Sequence, residues 1–105
     1  MFRVSVLYPT APNSRFDLDD YLQRHTPMVE SLLRPALRGV QIDRGIAGFV
    51  PGSPAPFHIA CHLLFDSAQA FSAAFAPHAA QIQADIATYT DVVPVIWMSE
   101  VLREA

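Results

Sequence analysis

An α+β fold of the split β-α-β type, with four antiparallel strands and two helices on one face, is what this 105-residue sequence predicts. Short runs of period-two alternation mark the strands, and two longer stretches carry an apolar stripe at helical spacing. Their order along the chain is β-α-β-β-α-β. The third observation is surplus apolar surface. Hydrophobic residues make up 51% of the chain and charged residues only 16%, more than a small monomer readily covers.

The first strand is read over Phe2–Tyr8, where Phe2, Val4, Val6 and Tyr8 alternate with Arg3, Ser5 and Leu7 before Pro9 ends the run. A loop follows. Asp17 caps the first helix, Asp20 adds acidic charge where the helix dipole favours it, and Pro35 stops it. A second strand is expected over about 38–48, weakened by Gly39 and Gly45, and Pro51-Gly-Ser-Pro-Ala-Pro56 makes a rigid connection. The third strand, 57–65, puts Phe57, Ile59, Cys61, Leu63 and Phe65 on one face and His58, Ala60, His62 and Leu64 on the other. Ser67 caps a second helix with the stripe Phe71, Ala74, Phe75, His78, Ile82 and Ile86. Pro77 within it predicts a kink or two abutting helices, the second opening at Pro77. The last strand, over about 92–101, is apolar on both faces, and Pro94 points to an edge. This is the ferredoxin-like arrangement. With both helices on one face, the other face carries Leu7, Ala60, Leu64 and part of the last strand. Two such sheets packed face to face bury it, so a dimeric α+β barrel is expected, a homodimer through the open sheet face.

The whole chain, 1–105, is read as one domain. A net charge of −3, with arginine as the only strong cation, argues against nucleic acid. The single Cys61 permits no intrachain disulfide and fits a reducing compartment. No stretch approaches the roughly 20 apolar residues that span a bilayer, and the opening residues lack a signal-peptide core. No membrane association and a cytoplasmic location are therefore expected. Gly39, Gly45, Gly48 and Gly52 form no phosphate-cradling loop, so no nucleotide or flavin cofactor is expected.

The residue that points to chemistry is His25. It stands at the centre of the first helix's apolar stripe (Leu18, Tyr21, Leu22, Met28, Val29, Leu32, Leu33), where a leucine would serve a plain core. Pro27, two residues on, deprives the Gln23 carbonyl of its helical partner, a defect that costs roughly 3 kcal/mol unless compensated. A titratable ring beside a helix defect on a buried face indicates a lined cavity. A buried imidazole needs a partner, and Tyr8, Tyr21, Asp85 and Tyr89 are the candidates. Its chemistry there is general acid/base, since imidazole titrates near pH ~6.5. Tyr8, at the strand end, is placed to orient a ligand. Tyr21, Met28, His78, Tyr89 and Trp97 are candidates for the pocket wall. His62 is assigned to the dimer interface, His58 to the surface, and Cys61 to inert packing. The one His-x-x-x-His spacing, His58 to His62, falls on the third strand and not on a helix, and no Glu-x-x-His occurs, so no metal site is read.

Beyond these residues, Tyr21-Leu-Gln-Arg-His25-Thr-Pro27 resembles the Tyr-x-x-x-His-x-Pro helix motif of the EthD family of small dimeric α+β barrel proteins. Val4-Ser5-Val6-Leu7-Tyr8-Pro9 and Phe16-Asp17 resemble that family's opening. Asp43-Arg44-Gly45, Pro51-Gly52-Ser53-Pro54, Phe65-Asp66-Ser67 with Phe71, Asp85-Ile86 with Tyr89-Thr90, Pro94 and Ser99-Glu100-Val101 follow in the same register. Two positions depart from the pattern. Trp97 stands where a polar residue, often glutamine, is expected, and Ala87-Thr88 replaces Pro-Asn. The resemblance implies a homodimer with a pocket between helices and sheet, and it implies no single reaction.

Three functions fit. One is a cofactor-independent oxidoreductase- or isomerase-type enzyme acting on a small hydrophobic compound, with His25 moving the proton and Tyr8 assisting. The second is a binder that delivers such a compound without changing it. The third is a structural dimer whose pocket is filled by its own side chains, Trp97 included.

Overall fold

The structure, a computed structural model, describes residues 1–104. Strand β1 (Phe2–Pro9) takes an inner place in the sheet, antiparallel to β3 (Phe57–Phe65) on one side and to β4 (Val95–Glu100) on the other. Strand β2 (Gly39–Arg44) pairs with the far side of β3, giving the order β2-β3-β1-β4. Register fixes the two faces. Val4 lies opposite Leu63 and Met98, and Ser5 opposite His62 and Trp97, so each row shares one side of the sheet.

Helix α1 is one rod in three pieces: an α-turn at Leu18–Asp20, a π-helical turn at Tyr21–His25, and an α segment at Thr26–Leu33. The Asp17 carboxylate accepts from the Asp20 N–H at 3.1 Å and caps its start. The defect anticipated from Pro27 takes the form of the π turn. The proline ring would collide with the Gln23 carbonyl, which lies in that turn, and the Thr26 N–H reaches back to the Tyr21 carbonyl instead. Ser67 caps helix α2 (Ala68–Phe75) by accepting from the Ala70 N–H at 3.0 Å. A 3₁₀ turn at Ala76–His78, holding Pro77, separates it from helix α3 (Ala79–Tyr89). The second helix therefore opens two residues after Pro77.

Both helical layers cover the face of Val4, Cys61, Leu63 and Phe65, with Val29, Leu33 and Ile82 driven into it. Two strands are shorter than their apolar patterns. After Arg44 the chain leaves the ladder, because a Cβ at Gly45 would lie 2.0 Å from the Phe57 carbonyl oxygen and only glycine fits that crossing. At the other end Pro94 has no N–H and the Val92 N–H is taken by the Thr90 hydroxyl, so pairing starts at Val95. The helices leave β4 bare on both faces: Val95, Ile96, Trp97 and Met98 are each about half exposed or more.

Candidate functional site

A cavity of about 270 Å³ lies between the sheet and the helices, walled by Val4, Val6, Cys61 and Leu63 from below and by Val29, Phe71, Phe75, Ile82 and Ile86 from above. An apolar cavity of roughly 150 Å³ already holds benzene, so this one has room for one or two small rings. Tyr8, Tyr21, His25, Thr26, Glu30 and Gln83 supply its polar atoms.

The π turn puts Tyr21 and His25 side by side, both buried, with rings stacked at 5.6 Å and 20°. Asp85 of α3 meets His25 across the helix interface, with Nδ1 to Oδ2 at 2.6 Å. Asp85 follows Ile82 by three residues and precedes Tyr89 by four, so it shares their inward face. Its outer side is closed by Arg24, whose Nη1 donates to Oδ1 at 2.7 Å and whose Nη2 donates to Oδ2 at 3.1 Å. The guanidinium, followed by the His25 bond, holds the Asp85 carboxyl below its usual range. An ionised carboxylate only accepts, so the Nδ1 of His25 carries the proton and Nε2 is the free acceptor of the neutral ring. Burial keeps that ring neutral by lowering its pKa below the ordinary imidazole value, against the upward pull of Asp85.

Beyond Nε2 runs a pair of phenols. The Tyr89 hydroxyl lies 3.4 Å from Nε2 and 2.6 Å from the Tyr8 hydroxyl. With Nε2 as acceptor, Tyr89 donates to it and Tyr8 donates to Tyr89. Burial pushes the Tyr8 phenol up to about 12, and it holds Tyr21 and Tyr89 further above their ordinary value. None of the three ionises near neutrality. A proton can pass along such a row while each phenol stays neutral before and after.

The expected site residues divide. Tyr8, Tyr21 and His25 line the cavity, and Tyr89, fully enclosed, backs His25. Three of the expected wall residues are placed elsewhere. Met28 is half-buried between α1 and α3, where its sulfur takes the Gln81 amide at 3.7 Å. His78 sits in the 3₁₀ turn, away from the cavity wall. Trp97 is 56% exposed on the open sheet face, because its register with Ser5 turns it from the helices, and its neighbours Ile96 and Met98 line the cavity instead. His58 is half-buried, not exposed: Phe16 stacks on it and the Ser14 hydroxyl bonds its Nε2 at 2.8 Å. On the open face His62 bonds the Ser5 hydroxyl at 2.7 Å. Cys61 is buried and its thiol is pushed up by desolvation, as befits packing. Arg24, Thr26, Glu30 and Gln83 carried no functional expectation from sequence. Only the i,i+4 spacing of Asp20 and Arg24 hinted at a structured charge cluster. Among the described residues no three His, Cys, Asp or Glu side chains gather as a metal site, and no helix is long and apolar enough to cross a membrane.

Fold and site together define a small ferredoxin-like α+β protein with an aspartate-backed histidine at an apolar cavity. The sequence matches the EthD domain over residues 12–92, and the chain belongs to that family. A crystal structure of an EthD-like protein from Ralstonia eutropha JMP134 is 41% identical, with 99% of this chain and 94% of that chain covered at a TM-score of 0.93. A dimeric ferredoxin-like protein of unknown function from Thermobifida fusca YX (16% identity, 95% of this chain and 90% of that chain, TM-score 0.60) shares the fold. So does a variant of a cofactor-independent oxygenase from Streptomyces nogalater (8% identity, 98% and 93%, TM-score 0.63). No protein of curated function matches the sequence.

Proposed function

We propose that this protein binds a small apolar or aromatic compound of one or two rings between the helices and the sheet and removes a proton from it. His25 is the acceptor. The ligand's acidic hydroxyl or activated C–H meets Tyr8. Tyr8 takes that proton as its own passes to Tyr89, and the Tyr89 proton passes to Nε2 of His25. The ligand leaves this step as an anion, and the imidazolium is stabilised by Asp85. The observation that carries this is the 2.6 Å Asp85–His25 contact at the wall of an otherwise apolar cavity. A packing histidine needs one partner of any kind. An ionised carboxylate behind one nitrogen and a path to the cavity from the other is an arrangement for moving protons. A fold neighbour described as a cofactor-independent oxygenase supports a cavity whose own side chains carry chemistry.

The functional unit on this proposal is a homodimer through the open sheet face. Trp97 and Val95 stand there more than half exposed, and the fold neighbour described as dimeric supports such a partner.

The test screens one- and two-ring phenols and ketones by thermal shift, then follows each binder by mass spectrometry with wild type and His25→Ala. A ligand at a hundredfold its dissociation constant adds about 2.7 kcal/mol to stability. The expected result is a compound that stabilises both proteins and is consumed by wild type alone. Equal consumption by His25→Ala, or no binder in the set, overturns the proposal. A compound bound by both and consumed by neither marks a delivery protein instead.

A further inference from the structure

The charge cluster on the outer side of the site is built more tightly than two exposed helices need. Arg24 is 45% exposed, yet every arm of its guanidinium is occupied. Nε and Nη2 grip Asp20 at 2.7 and 2.8 Å, Nη1 and Nη2 grip Asp85, and Nη2 also meets the Thr88 hydroxyl. Thr88 in turn donates to the backbone carbonyl of Asp85 at 2.6 Å. Asp20 is on α1, one turn before Arg24, and Thr88 is on α3, three residues after Asp85. The fork is therefore anchored on its own helix before it reaches across.

We infer that Arg24 is the positioning residue of this site: its two-pronged contact fixes the plane of the Asp85 carboxylate so that Oδ2 faces His25 Nδ1. Without it, the carboxylate has open solvent on its Oδ1 side and a free rotation about χ2 that swings Oδ2 off the ring. The planar fork matters as well as the charge. A carboxylate held by two parallel N–H donors has one orientation, whereas a point cation such as lysine permits many. The guanidinium charge also opposes protonation of His25 and favours ionised Asp85, which keeps the proton on Nδ1 and the acceptor at Nε2. Arg24 touches neither the cavity nor the phenol pair, and its contact with the site is made through Asp85. Its catalytic consequence rests on His25 being the proton acceptor, but the positioning itself can be read without any substrate.

The experiment is proton NMR of the full chain near neutral pH, following the imidazole Nδ1–H of His25 (assigned by its loss in His25→Gln) for wild type, Arg24→Gln and Arg24→Lys. Wild type is expected to show a low-field, slowly exchanging resonance. In Arg24→Gln that proton exchanges about threefold faster or more, as loss of a partly exposed ion pair implies. Arg24→Lys recovers the protection only in part. Asp20→Asn, which frees Arg24 from its anchor and leaves Asp85 intact, moves exchange the same way by less, and it serves if Arg24→Gln does not fold. Unchanged exchange in the Arg24 and Asp20 variants, or an unprotected proton in wild type, overturns the inference. Loss of protection in Arg24→Gln in a protein that turns over no compound overturns the catalytic role of His25 and leaves the positioning standing.

Discussion

Replacing Asp85 by asparagine removes the charge behind His25 while nearly keeping the shape. The two side chains are 7% and 13% exposed and 2.6 Å apart, so solvent screens their interaction little. A hydrogen bond to a charged group in such surroundings contributes about 1.5–3 kcal/mol. The Arg24 contact is more solvent-exposed and is left out of that figure. For a domain of this length, the melting temperature should fall by between about 6 and 24 °C. The same substitution has a second readout of fixed sign. Burial lowers the pKa of His25 and Asp85 opposes it, so asparagine must drive it lower still. Urea denaturation of both proteins gives the stability difference, and an NMR pH titration of the His25 ring gives the direction of the shift. A variant that melts within about 2 °C of wild type with an unmoved His25 titration would refute the idea that Asp85 holds His25.

Stability should also depend on pH with a defined sign. His25 is depressed in the folded state, so its contribution is complete above about pH 6.5 and is lost as pH falls from there towards its folded value. Asp85 is likewise depressed, and its contribution, present above about pH 4, disappears at more acid values. Denaturant midpoints across this range should decline in those two windows, and His25→Gln should flatten the upper one. Thr26 has a buried hydroxyl without a hydrogen-bond partner, so Thr26→Val should gain about 1 kcal/mol by calorimetry, and a loss of that size would mean the hydroxyl is satisfied. Trp97→Glu places a charge on the open sheet face. Size-exclusion chromatography should give a dimer for wild type and a monomer for the variant, and a monomeric wild type would remove the dimer proposal.

Much of the architecture was legible because it rests on local rules. The alternation of Phe57–Phe65 gave the third strand with both faces correct, since side-chain direction in a strand follows from position alone. Asp17 and Ser67 start their helices as capping residues should, and Pro27 announced a helix defect, though not its π form, by the hydrogen bond it cannot make. The ends of β2 and β4 were overextended because apolar pattern marks burial as readily as pairing. Their true limits depend on the Gly45 crossing and on the donors that Pro94 and Val92 fail to offer.

From the residues alone came the element order, the buried histidine beside a helix defect, and the short set of its possible partners. The tertiary structure chose Asp85 from that set, because α1 and α3 must lie side by side before a carboxylate sixty residues away can reach an imidazole. It also turned Trp97 away from the cavity through its register with Ser5, and it recruited Arg24, an ordinary surface residue in sequence, to the back of the site. Patterning dictates which side of an element is buried. Which groups then meet depends on long-range packing, to within an ångström, and no local pattern carries that distance.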